Sequence, residues 1–174
     1  FLHEETPKKQ NEQVIFHFDG RMNSAKGFYT TLSAFTNALK VRKDIELHCI
    51  GKFDPWCYPL HGYTDNRERF KENLLFFKQF KQIVFHSYLD QESYKKFLER
   101  SHCLISPSTF HDDDFSVSTI QSLACGNEAI LTNWGGLKDY GLFHRVDFLS
   151  VTTGKSNIPQ VSIAALTIIL SFYN

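Results

Sequence analysis

Neither sign of charge prevails in this sequence, because nineteen Lys and Arg stand against nineteen Asp and Glu. A chain without a global positive field has no long-range hold on a nucleic-acid backbone, so nucleic acid is not an expected partner and any basic site must be local. The four cysteines, Cys49, Cys57, Cys103 and Cys125, form no CxxC pair and no dense framework. That spacing argues against a secreted disulfide scaffold and predicts free thiols in a reducing cytosol. Apolar runs of membrane-spanning length are also missing. The longest, Val161 to Tyr173, is interrupted by Ser and Thr and reads as a packed helix. Neither GxxxxGK[ST] nor GxGxxG occurs, and there is no internal repeat or low-complexity segment.

What is present suits one domain with a substantial core: 174 residues, 42% hydrophobic, with 17 Phe. Residues 1–13 are polar and read as a linker or lead-in, leaving 14–174 as the folded unit. The chain opens at Phe1 and stops inside a helical pattern, which raises the expectation of a longer protein. Val14 to Phe18 reads as a strand that stops at the Asp19-Gly20 turn. Phe28, Leu32, Phe35 and Leu39 then recur at helical spacing, with Asn23 or Ser24 available as the cap. Further strands are expected at Ile45 to Ile50, Gln82 to Tyr88, Cys103 to Ser106, Glu128 to Thr132 and Val146 to Val151. Helices fall between them: one faced by Phe70, Leu74 and Phe77, one capped by Asp90 with Tyr94, Phe97 and Leu98 inward, and one from Ser118 to Cys125 stopped by Gly126. A loop is expected over Lys52 to Gly62 and a last helix from Val161. Alternation of this kind predicts an α/β fold with a Rossmann-like parallel sheet covered on both faces.

Three constellations carry chemistry. Gly20-Arg21-Met22-Asn23-Ser24-Ala25-Lys26-Gly27 joins the first strand to the first helix, where free amide protons and two cations suit a phosphate or diphosphate. Solvated loop charges are the plainer account of Arg21 and Lys26. His111-Asp112-Asp113-Asp114 precedes a helix start, where carboxylates complement the dipole. The same four residues offer ligands for a hard cation, although adjacent side chains diverge. Asn133-Trp134-Gly135-Gly136 follows the fifth strand and serves either a tight turn or close backbone approach to a ligand. His48-Cys49 and His102-Cys103 read as core residues and not as zinc ligands, because neighbours on a strand point to opposite faces. The Lys40 to Lys43 and Lys95 to Arg100 clusters read as solvated helix faces, with a membrane-surface role as the alternative.

In their order these pieces resemble the C-terminal, donor-binding half of retaining GT-B glycosyltransferases, the group 1 or family 4-like enzymes. That family's pattern is a strand, GR, a few residues and KG; then a PS-containing strand, E-G-F-G with a second Glu eight positions after the first, A-x-A-C-G, and T-x-x-G-G-x-x-E. This chain has Gly20-Arg21 and Lys26-Gly27, then Pro107-Ser108, Asp113-Asp114-Phe115-Ser116, Gln121, Ala124-Cys125-Gly126, and Thr132 to Asp139. The family's two glutamates stand here as Asp113 and Gln121, and its two glycines around Phe as Asp114 and Ser116.

The resemblance implies a domain that binds a nucleotide diphosphate sugar and transfers a hexosyl group to a glycan, lipid or other acceptor with retention of configuration. It implies no cofactor and no metal. Arg21, Lys26 and Asp113 take the catalytic positions, and Gly20, Tyr88, Asp114, Phe115, Ser116, Val117 and Gln121 those that border the donor. Acceptor groups come in that family from an N-terminal domain that this chain does not include. A cytoplasmic setting, at the inner face of a membrane for the full protein, and a part in polysaccharide biosynthesis are implied with it. Two alternatives follow from the departures: a degenerate, non-catalytic interaction module, and a metal-dependent GT-A type enzyme suggested by Asp112-x-Asp114.

Overall fold

A computed structural model describes residues 13–54, 66–110, 115–153 and 159–173 of the chain. Six strands form one parallel sheet: β1 Val14–Met22, β2 Ile45–Phe53, β3 Ile83–His86, β4 Cys103–Ser106, β5 Glu128–Thr132 and β6 Val146–Leu149. Their spatial order is β3-β2-β1-β4-β5-β6. The helices are α1 Phe28–Ala38, α2 Arg67–Phe77, α3 Gln91–Arg100, α4 Val117–Ala124 and α5 Ile163–Phe172.

Period-two alternation along β1 and β2 sorts side chains onto two faces of different character. Phe16, Phe18, Leu47 and Cys49 point one way, into an apolar cluster with Phe28, Leu32 and Phe35 of α1, Phe77 of α2, and Leu166 and Leu170 of α5. Ile15 and Ile50 point the other way, toward Phe97 and Leu98 of α3. Leu123 of α4 packs beside Leu104 and Leu131 on that second face. The sheet is therefore covered on both sides, as alternating strands and helices require.

Several boundaries differ from expectation. β1 does not stop at Asp19-Gly20; it stays in register with β2 as far as Met22 opposite Phe53. Gly20 and Gly51 make this possible, since a Cβ on Gly51 would lie 1.9 Å from the Gly20 carbonyl oxygen. The cap of α1 is Gly27, with φ of 74°, and not Asn23 or Ser24. Asn23 instead accepts the Lys26 amide at 2.9 Å, which turns the chain before the helix begins. The stretch expected as a sixth strand divides into β6 in the sheet and β7 Val151–Thr153, which pairs antiparallel with β8 Pro159–Val161. Past Trp134 a 3-10 helix, Gly135–Leu142, replaces the expected simple turn. Asp90 caps α3 and Gly126 is left-handed, both as the sequence predicts.

Cys49, Cys103 and Cys125 are free thiols, and burial pushes the first two well up from their ordinary range. His48 is buried, as expected of a core residue. No helix among the described residues is long and apolar enough to cross a membrane.

Candidate functional site

The strand order reverses between β1 and β4: the chain leaves β1 toward β2 on one side and leaves β4 toward β5 on the other. In open parallel sheets such a switch point opens a crevice at the carboxyl ends of the strands. Here the two loops that bound it touch directly. The Thr109 amide donates to the Ala25 carbonyl at 2.8 Å, and the Ser108 hydroxyl to the same oxygen at 3.4 Å. Gly27 is dictated by this contact, since a Cβ there would lie 2.4 Å from the Pro107 carbonyl oxygen. Its positive φ adds a second reason for glycine. Asn23 ties the same loop to the end of β2 through its side-chain amide, which donates to the Asp54 carbonyl at 3.1 Å.

That scaffold brings Arg21 and Lys26 together over one aromatic ring. The Arg21 guanidinium lies 4.6 Å and the Lys26 ammonium 5.1 Å from the centre of the buried Phe110 ring. Each cation is attracted to the ring, and two like charges held at one ring make a local positive site that suits an anion. Arg21 also stands 3.7 Å from the Asp54 carboxylate, in a half-exposed pair that contributes little to stability. A cleft of about 280 Å³ on the α1 side of the loop is lined by Ser24, Gly27, Arg69 and Thr109. Neither Arg21 nor Lys26 lines it.

The remaining expected residues distribute around the carboxyl ends of the strands. Gly20 precedes Arg21 in β1 and is exposed. Tyr88, just past β3, is 65% exposed, and the Lys52 ammonium sits 4.7 Å from its ring centre. Phe115, Val117 and Gln121 are exposed at the start and along the outside of α4. Ser116 caps that helix: its hydroxyl accepts from the Thr119 amide at 3.3 Å and from the Thr119 hydroxyl at 2.8 Å. Its side chain is thus committed to the helix, while its position still presents the helix start. Asp113 and Asp114, with His111 and Asp112, lie outside the described residues.

The residues that sequence reasoning missed form a buried polar chain behind the site. His17 Nδ1 lies 3.1 Å from Asp19 Oδ2, and His17 Nε2 lies 3.1 Å from the Ser122 hydroxyl. The Tyr94 hydroxyl donates to the same Asp19 oxygen at 2.5 Å. A carboxylate only accepts, so His17 donates through Nδ1 to Asp19, and in the tautomer with its one proton on Nδ1 the Nε2 accepts from Ser122. Burial, and then Asp19, raise the Tyr94 phenol well above its ordinary range, which keeps it a donor. This chain ties β1, which carries Arg21, to α4, which carries Gln121, and to α3. The signal in sequence was the period-two pair His17-x-Asp19 within an apolar strand.

Beside it, His48 Nδ1 meets His86 Nε2 at 2.9 Å, with the rings stacked at 5.1 Å, and His48 Nε2 lies 3.2 Å from Glu46. Burial lowers the pKa of both histidines, with a further lowering from Arg100 and, for His48, from His86; Glu46 opposes the shift at His48 and Asp19 at His86. No group of three or more His, Cys, Asp or Glu among the described residues is placed to hold a metal ion.

Residues 2–141 match the family described as glycosyl transferases group 1. No curated protein matches the chain. Solved structures with the same fold include the C-terminal domain of the glycosyl transferase group 1 protein LpcC from Francisella tularensis. The two share 16% identity over 80% of this chain and 68% of that one, with a TM-score of 0.62. HepE from Anabaena, solved in complex with UDP and glucose, shares 15% identity over 93% of this chain and 39% of its own length, with a TM-score of 0.59. Sucrose-phosphate synthase from Thermosynechococcus elongatus shares 21% over 92% and 37%, with a TM-score of 0.61. The chain thus spans under two fifths of the length of the latter two. The six-stranded parallel sheet with its helices has the Rossmann-like fold of the C-terminal half of a GT-B enzyme. With a family match across most of its length, this chain belongs to the glycosyl transferases group 1 family.

Proposed function

We propose that this chain is the donor-binding domain of a glycosyltransferase that takes a hexosyl group from a nucleotide diphosphate sugar and passes it to a glycan, lipid or other acceptor with retention of configuration. The observation that carries the reading is the convergence of Arg21 and Lys26 over Phe110 at the β1/β4 switch point. The diphosphate sits against these two cations. As the bond from the anomeric carbon to the diphosphate oxygen breaks, negative charge grows on that oxygen and the pair stabilises it. Losing one such donor costs on the order of 10²–10³ in rate.

The nucleotide base lies toward Tyr88, the ribose against Gln121, and the sugar and phosphates between Gly20, Asp113, Asp114 and the start of α4 at Phe115, Ser116 and Val117. Gln121 still donates and accepts hydrogen bonds to ribose hydroxyls, although without charge its hold is weaker than a carboxylate's. Charge neutralisation by Arg21 and Lys26 makes the transfer independent of metal and of any cofactor. The acceptor is held by an N-terminal domain of the full protein, which works in the cytoplasm at the face of a membrane and serves polysaccharide biosynthesis.

Titration calorimetry with UDP, GDP and ADP tests the reading. One of the three binds the wild-type chain, and Lys26→Ala weakens that binding by about tenfold or more. Absence of binding by all three, or affinity indifferent to Lys26, rejects it.

A further inference from the structure

The opposite, amino edge of the sheet carries a second charged and apolar surface that the donor site does not use. The last turn of α1 and the turn into β2 lie beside the last turn of α2, with a cleft of about 460 Å³ between them. Lys40, Lys43, Phe76, Phe77 and Phe80 line it, and no acidic residue does. Phe76 is 54% exposed, its chain neighbour Leu75 69%, and Val41, in the turn that carries Lys40 and Lys43, 67%. The Phe76 ring is held in place from behind, by edge contacts with Phe77 at 5.1 Å and Phe80 at 5.8 Å.

Lys40 and Lys43 donate to neutral oxygens, those of the Asn37 side chain and the Leu39 carbonyl. Lys78 and Lys81 are exposed on the α2 side of the same edge. The acid nearest in sequence to the α1 lysines, Asp44, is engaged by Arg42 at 2.6 and 2.9 Å. Lysines near helix ends complement the dipole, which accounts for part of this charge. It does not account for three large apolar side chains left in solvent among them.

We propose that this edge docks on the surface of an anionic phospholipid bilayer. Charge complementarity selects that occupant. Lysine stems lie along apolar surface while their ammonium groups reach lipid phosphates, and the exposed Phe76 and Leu75 enter the headgroup boundary. In a chain with no net charge, the cations gathered here make the local field that the total lacks.

Co-sedimentation of the 174-residue chain with vesicles tests this, using phosphatidylcholine alone and phosphatidylcholine with about one third phosphatidylglycerol. The chain sediments with the anionic vesicles and not the neutral ones, and high salt releases it. Lys40→Glu with Lys43→Glu, and separately Leu75→Ser with Phe76→Ser, each weaken binding by about tenfold or more. All four positions lie at the surface, and unchanged circular dichroism and melting verify the fold of both variants. No binding to anionic vesicles, or binding equal in wild type and both variants, overturns the proposal. A concentration-dependent dimer that Phe76→Ser abolishes, without vesicle binding, overturns it in favour of a second copy of the chain.

Discussion

The two faces of the sheet around β1 and β2 are built from alternate residues of the same strands, yet they do different work. On one face Phe16, Phe18, Leu47 and Cys49 meet α1, α2 and α5 through apolar contact alone. On the other, His17 and Asp19 meet α4 and α3 through hydrogen bonds with Ser122 and Tyr94, His48 and His86 bond to each other, and the Phe97 ring of α3 lies 5.5, 5.1 and 6.3 Å from the imidazoles of His17, His48 and His86. Apolar burial is non-directional and yields stability, whereas a hydrogen bond fixes position and is costly only when a partner is lost. The apolar face therefore holds the fold together, and the polar face sets where β1, α3 and α4 stand relative to one another. Since Arg21 lies on β1 and Gln121 on α4, the polar face also spaces the candidate donor site.

The sharpest way to break the comparison is on the apolar side. Phe35 is fully buried and packs edge-on against Phe16 at 6.4 Å. Phe35→Ala should cost about 3–5 kcal/mol, measured by urea unfolding, because a large cavity remains in a closely packed apolar cluster. A loss under about 1 kcal/mol would mean that the face collapses around the cavity and is less rigid than its packing suggests.

On the polar side, Ser122→Ala removes the hydroxyl that His17 Nε2 accepts from and leaves a buried acceptor unpaired. The expected cost is about 1–3 kcal/mol, smaller than for Phe35→Ala although Ser122 is equally buried. Nucleotide affinity should fall with it, since α4 is released from β1. Stability loss without any change in nucleotide affinity would detach the network from the site.

The smallest effect is a pH dependence. His48 and His86 have folded pKa values below the ordinary 6.5, so the unfolded chain takes up protons first as pH falls. Their contribution to stability is fully present above about pH 6.5 and is lost as pH drops below it toward the folded values. The melting temperature should decline between about pH 7.5 and pH 5, less steeply in His86→Asn than in wild type. Equal slopes would mean that other groups control acid sensitivity.

Much of the fold was readable from local pattern. β-branched and aromatic runs marked all six strands of the sheet, and Asp90 and Gly126 marked helix ends, because those signals depend on neighbours in the chain. β1 ran past its expected stop because Gly20 lies opposite Gly51, a residue of another strand. The cap of α1 moved to Gly27 because Pro107, eighty residues on, leaves no room for a Cβ there. Of the site, Arg21 and Lys26 were identifiable from their order along the chain. Phe110, which brings their charges together, was not, since nothing near it in sequence announces a partner. The hydrogen-bonded His17, Asp19, Tyr94 and Ser122 likewise belong to three separate elements.

The sequence by itself determined which segments are strands and helices, that they alternate, and which family's motifs they carry, since periodicity, capping chemistry and motif order are properties of neighbouring residues. Only the tertiary structure decided the strand order, the meeting of two cations over one ring, the histidine network beneath them and the lysine-rimmed aromatic cleft at the far edge. Each of these joins residues distant in sequence, and the physical reason is packing. Which side chains share a space depends on how twisted strands and helices fit together, and no local propensity encodes that.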